Sequence, residues 1–167
     1  MSFAITLPST RTALAAVATG GLLAGALDLI YICSFWAAQG VGPVRILQSV
    51  AAGWLGREAA VAGGNATALL GLVSHLGIAV GMAGVYYLAA RRWPPLVRSP
   101  WHFGALYGIV LYAVMNYVVV PLSAAGNGLP KSWNWADVSH LAAHMLLVGI
   151  PCALATRYAL RGNRGHH

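Results

Sequence analysis

Charge is what this sequence lacks most. Of 167 residues only three are acidic and ten are Lys or Arg, so charged residues make up 8% of the chain, against about 25% in soluble domains. With 59% of its residues hydrophobic, the chain does not have the composition of a soluble globular domain. Cysteine is scarce as well. Cys33 and Cys152 fall at different depths of two apolar runs, well beyond the ~7 Å Cα separation that a disulfide tolerates, and read as small packing residues. Phosphate-loop spacings and an H-E-x-x-H are both missing. Ser74 adjoins His75 and Ser139 adjoins His140, but neighbouring residues on a helix point to different faces and do not act on each other directly. Nothing here has the make-up of a soluble-type enzyme site.

What the sequence has instead is four long apolar runs, at residues 12–36, 66–90, 102–124 and 136–158. A bilayer core needs about 20 apolar residues of helix, and soluble core helices rarely stay apolar that long. The expected fold is an all-α, integral membrane four-helix bundle, one transmembrane domain over 1–167. The first run is too long for the ~7–15-residue core of a signal peptide, and Ser34-Phe35-Trp36 places bulk where cleavage needs small residues.

The net charge of +7 follows topology. Arg11, then Arg91, Arg92 and Arg98, then Arg157, Arg161 and Arg164 lie before run 1, between runs 2 and 3, and after run 4; Arg45, Arg57 and Lys131 lie on the other side. The positive-inside rule puts both termini in the cytoplasm, with a secondary attraction to anionic headgroups. No aromatic-interleaved basic surface accompanies the charge, so no nucleic-acid partner is expected; the expected partner is the lipid bilayer. Trp36, Trp54, Trp93, Trp101, Trp133 and Trp135 all fall near run ends or in loops, as an aromatic belt on both membrane faces requires.

In the first loop, Val44, Leu47, Val50, Ala51, Trp54 and Leu55 recur at helical spacing, with Arg45, Gln48 and Ser49 on the other side. This predicts a short amphipathic surface helix over about 43–57, either a connector or a lid over a site between the spans. Turn chemistry is expected over 126–131. Gly21/Gly25, Gly77/Gly81 and Gly104/Gly108 form three G-x-x-x-G ridges. Such ridges let backbones approach closely, within one bundle or between the copies of a homodimer. Pro121 and Pro151 are expected to kink their helices.

The polar residues inside the runs define the candidate site. With run midpoints at about residues 24, 78, 113 and 147, Asp28, His75, Asn116 and His144 all sit three to four residues from centre on one side, a few ångströms apart in depth at ~1.5 Å per residue. His140 lies one turn from His144 on the same face. A carboxylate at a span centre costs about 2.5–3.5 kcal/mol on insertion scales and calls for an interior partner; the three histidines are the best available. Four readings fit: a hydrogen-bonded network that orders the bundle, a proton relay or proton-coupled transport site, a transition-metal site such as zinc, and axial His75/His144 ligation of a b-type haem. Close glycine packing leaves little room for a porphyrin, and no cofactor is expected.

The segments Arg45-Ile46-Leu47-Gln48-Ser49, Gly53-Trp54-Leu55-Gly56, Tyr86-Tyr87-Leu88-Ala89-Ala90-Arg91 and Met115-Asn116-Tyr117-Val118-Val119-Val120-Pro121-Leu122-Ser123 resemble those of a family of uncharacterised bacterial four-span membrane proteins. After residue 70, a His in one span, Pro-Leu ending the next, Trp in the outer loop and Ser-His opening the last span are remotely similar to YagU-like inner-membrane proteins, a group associated with acid resistance. The resemblance implies a bacterial inner membrane and leaves the activity open.

Overall fold

The computed structural model describes residues 10–126 and 133–161. The turn expected over 126–131 lies almost wholly outside these residues, as do Lys131, Arg164 and the carboxy-terminal His pair. Four long helices carry the apolar runs: α1 (Thr10–Ala37), α4 (Gly64–Arg92), α6 (Pro100–Leu122) and α7 (Trp135–Arg161). Each is long and apolar enough to cross a membrane. Three short helices complete the described chain: α2 (Pro43–Leu55), α3 (Arg57–Ala62) and α5 (Pro95–Arg98). No strand occurs among the described residues, and the fold is the expected all-α bundle.

The bundle is apolar on its outside. Leu14, Leu23, Ile30, Leu69, Val73, Leu88, Leu106 and Leu146 are all exposed, whereas the interior is dominated by small residues such as Ala24, Ala83, Ala90, Cys152 and Ala153. A helix surrounded by hydrocarbon gains nothing by hiding leucine, so small residues go to helix contacts and large ones to lipid. Trp54, Trp93, Trp101, Trp133 and Trp135 are exposed at the bundle's two ends.

Two glycine ridges hold the helices together, and the third does not. A side chain on Gly21 would strike the backbone of Val80, and one on Gly25 would press on Ala79 and Leu76, so α1 and α4 cross here. Gly104 and Gly108 meet Ile150, His144 and Met145 in the same way, with Gly149 returning the contact from α7. Gly77 and Gly81 face open space, so of the three ridges two serve close approach within the bundle.

The prolines act by a route the sequence did not announce. Just before Pro121, α6 widens into a π segment, Met115–Val119; just before Pro151, α7 does the same over His144–Gly149. In both, the residue preceding proline donates its N–H five residues back, Val120 to Met115 and Ile150 to Met145. Proline lacks the N–H for an ordinary turn and clashes with the carbonyl four residues back; one wide turn moves that carbonyl aside.

At one end of the bundle, where the two described termini lie, packing is dense. Ala13, Tyr86, Tyr87, Ala90, Leu96, Val97, Ala153, Ala159 and Leu160 form one buried cluster. The Tyr107 hydroxyl donates to the Met82 carbonyl (2.8 Å) and ties α6 to α4 at mid-depth. Apart from that tie the α4 and α6 backbones stand away from each other, and toward the end that carries α2 their residues line a hollow.

Helix α2 lies across this end. The backbone of Leu47 rests on Gly71 of α4, where any side chain would collide with the Leu47 carbonyl. At its other end the Gly53 carbonyl accepts from Ala124 N (3.0 Å), just past α6. Its faces follow the expectation in part: Arg45 and Ser49 are exposed and Ala51 is buried. Gln48, placed on the polar side by its spacing, is buried, and its side chain donates to the Gly64 carbonyl (3.0 Å). Val44, Trp54 and Leu55, placed on the apolar side, are exposed like Arg45 and Ser49 on the polar side. A polar residue is buried because the α3–α4 junction, where Gly64 takes a positive φ of 58°, presents a carbonyl to receive it. The helix also stops earlier than the expected residue 57: Gly56, at φ 79°, turns the chain into α3.

Candidate functional site

At the α2 end, α4 and α6 leave a cavity of about 860 Å³ roofed by α2. Its wall draws on the α2-side half of every long helix: residues 25–36 of α1, 75–82 of α4, 112–122 of α6 and 140–148 of α7. Asp28, His75, Asn116, His140 and His144 all line it.

Three of the five converge at a single point. The Asp28 carboxylate lies between two imidazoles, with Oδ2 3.8 Å from His75 Nε2 and Oδ1 3.9 Å from His144 Nδ1. These separations permit electrostatic pairing and are too long for hydrogen bonds. Both ring nitrogens are bonded elsewhere. His75 Nε2 is 3.0 Å from the Gly25 carbonyl and His144 Nδ1 is 3.0 Å from the His140 carbonyl. A carbonyl only accepts, so each of these nitrogens carries its proton and donates it to backbone. Among the described residues Asp28 therefore receives no hydrogen bond, although its side chain is only 14% exposed. The glycine ridge makes this geometry: Gly25 brings α1 and α4 close enough for His75 to reach the α1 backbone.

The other two residues hydrogen-bond to groups other than Asp28. The Asn116 side chain donates to the Tyr112 carbonyl of its own helix (2.9 Å). His140 is held nearer the cavity's outer end. The Tyr31 hydroxyl joins its Nδ1 (3.0 Å) and the Ser139 hydroxyl (2.6 Å), and Phe35 packs edge-on at 4.7 Å between ring centroids. Ser139 and His140, neighbours in sequence, are thus linked through a third residue on α1.

Sequence reasoning passed over the tyrosines. Tyr112 is buried, sets its ring edge-on against His144 (5.5 Å), and donates its hydroxyl to Asp137 Oδ1 (2.9 Å). Asp137, only 2% exposed, also caps α7: its Oδ2 accepts from Asn134 N (2.8 Å), while Asn134 Oδ1 accepts from Asp137 N (3.3 Å). Its charge is spent on structure. The available signals were Asn134 three residues before Asp137, a capping-box spacing, and a tyrosine level with the histidines.

Asp28 is the one carboxylate on the cavity wall, and no Lys or Arg lines it among the described residues. Apart from the cluster, the wall is mainly apolar and aromatic, with Tyr31, Trp36, Trp54 and Tyr112 contributing rings. The described His, Cys, Asp and Glu side chains form no group of three arranged to hold a metal ion. His75 Nε2 and His144 Nδ1 bracket the Asp28 carboxylate. Set against protein-family models, curated proteins and solved structures, the chain matches none, so its site is read from its own chemistry.

Proposed function

We propose that this chain is a multi-pass protein of the bacterial inner membrane that couples proton binding at its Asp28–His75–His144 cluster to movement of a small solute through the α2-covered cavity. The observation that carries this reading is a carboxylate set between two imidazoles at the wall of a hollow large enough for a solute and left without a hydrogen bond. A purely structural network would satisfy its polar groups and fill its space. Here Tyr31–Ser139–His140 and Tyr112–Asp137 do the structural work, and Asp28 stands outside it. Histidine supplies a group that changes charge near physiological pH, and intramembrane carboxylates and histidines recur in proton pathways.

Orientation follows from charge: Arg91, Arg92, Arg98, Arg157 and Arg161 sit at the densely packed end, which we assign to the cytoplasm. The cavity then faces the periplasmic half. Two glycine ridges are consumed inside the bundle, so a homodimer through a glycine ridge would use Gly77/Gly81. Neither zinc nor haem is part of this reading.

Everted membrane vesicles, acidified inside and monitored with a quenched acridine dye, test the reading. Solutes of several classes (amines, carboxylates, sugars, amino acids) are added in turn. At least one class should release quenching in wild-type vesicles beyond that seen with Asp28→Asn. No class doing so, with both proteins folded in the membrane, overturns the proposal.

A further inference from the structure

The chemistry of the cavity wall also says what kind of solute fits. An ionised carboxylate in a low-dielectric surround is stable only with charge-assisted hydrogen bonds or an adjacent cation. Asp28 accepts no hydrogen bond among the described residues, and a cation stands beside it only when His75 or His144 is protonated. The two imidazoles that flank it direct their protons to the Gly25 and His140 carbonyls, and the wall offers no Lys or Arg among the described residues. With the imidazoles neutral, the donor comes from what enters the cavity, and a bound ammonium supplies a stronger one than water does.

The rest of the wall describes the remainder of that molecule. Aromatic rings from Tyr31, Trp36, Trp54 and Tyr112 surround the hollow, and their faces attract cations as well as apolar groups. Met82 and Met115 add side chains that adapt to irregular shapes. About 860 Å³ lies within the range of sites for drug-sized ligands. An anion would be repelled by Asp28, and a neutral apolar molecule would leave the carboxylate unbonded.

We infer that the cavity binds an amphipathic ammonium, a protonated amine carried on an aromatic or apolar body, with its N–H donated to Asp28 and its body against the aromatic wall. This rests on reading the cavity as a solute site and adds the class of solute. Trp54 belongs to the roof and is anchored by its indole N–H to Ser74 Oγ (3.0 Å), so α2 contributes part of the aromatic surround.

Four probes of one shape separate the contributions: 1-naphthylmethylammonium, its trimethylated quaternary form, 1-naphthalenemethanol and 1-naphthoate. Binding to the full chain in nanodiscs is measured by calorimetry, with empty nanodiscs subtracted. The primary ammonium should bind about tenfold or more tightly than the alcohol, as a charged hydrogen bond requires. The quaternary form should fall between them, and naphthoate should bind weakest. The ammonium preference should vanish in Asp28→Asn, persist in part in Asp28→Glu, and be unchanged in Glu58→Gln, whose exposed acid lies outside the cavity. Circular dichroism confirms that each variant is folded. Ammonium binding no tighter than the alcohol, a preference that survives Asp28→Asn, or tightest binding of naphthoate would each overturn the inference. Vesicles that release protons for a non-amine solute would defeat the solute class and leave the coupling intact. Ammonium selectivity without proton release would do the reverse.

Discussion

A polar atom inside a membrane bundle is defined by its partner, and Asp28 and Asp137 show the two extremes. Asp137 is fully committed, to Tyr112 and to the first turn of α7. Removing the Tyr112 hydroxyl by Tyr112→Phe leaves a buried carboxylate short of a donor and should destabilise the fold by about 1–3 kcal/mol, read as a lower midpoint of denaturation in mixed micelles. Asp28→Asn removes no hydrogen bond among the described residues, so it should change that midpoint by much less while altering the site. A larger loss for Asp28→Asn than for Tyr112→Phe would show the assignments to be reversed. Asp28, His75 and His144 were conspicuous in the sequence because charge and imidazole stand out in apolar runs at a common depth. Tyr31 and Tyr112 were not, because a tyrosine in a span reads as apolar bulk until the helix that receives its hydroxyl is known.

At the level of helices, hydropathy located all four spans to within about two residues at most boundaries, since a bilayer demands length and little else. Faces were harder. Three ridges of identical pattern met different fates because a glycine pattern specifies the possibility of close approach and no neighbour. The difference has a measurable sign. Gly108→Ala drives a methyl into the backbone of His144 and Met145 and should cost about 1–3 kcal/mol as overpacking. Gly77→Ala meets open space and should be neutral or stabilising, by at most about 1 kcal/mol of helix propensity; both are read by the same denaturation assay. The π segments escaped prediction for a related reason. A proline announces a break in the ladder but leaves open whether the helix bends or widens. The widened segment His144–Gly149 includes the residues that pack on Gly104 and Gly108 and the histidine beside Asp28.

For the whole molecule, the proposed orientation is checked with single cysteines in a Cys33→Ala, Cys152→Ala background. Glu58→Cys on α3 and Arg98→Cys at the end of α5 are both exposed and occupy opposite ends. A membrane-impermeant thiol reagent should label the first in intact spheroplasts and the second only after lysis; the opposite pattern would invert the topology. The bundle's division into a solid half and a hollow half, divided near the Tyr107–Met82 hydrogen bond, bears on how it would respond to voltage. A transmembrane potential falls mainly across whatever insulates. A wetted hollow conducts, so the potential would drop across the solid half alone, concentrating into about 15 Å what a full hydrocarbon core spreads over about 30 Å. Asp28 would then sit electrically near the solution on the α2 side, exchanging protons with it at little voltage cost. A charge passing onward through the level of Tyr107 would meet nearly the whole field, about 2.3 kcal/mol per 100 mV, within a few helical turns.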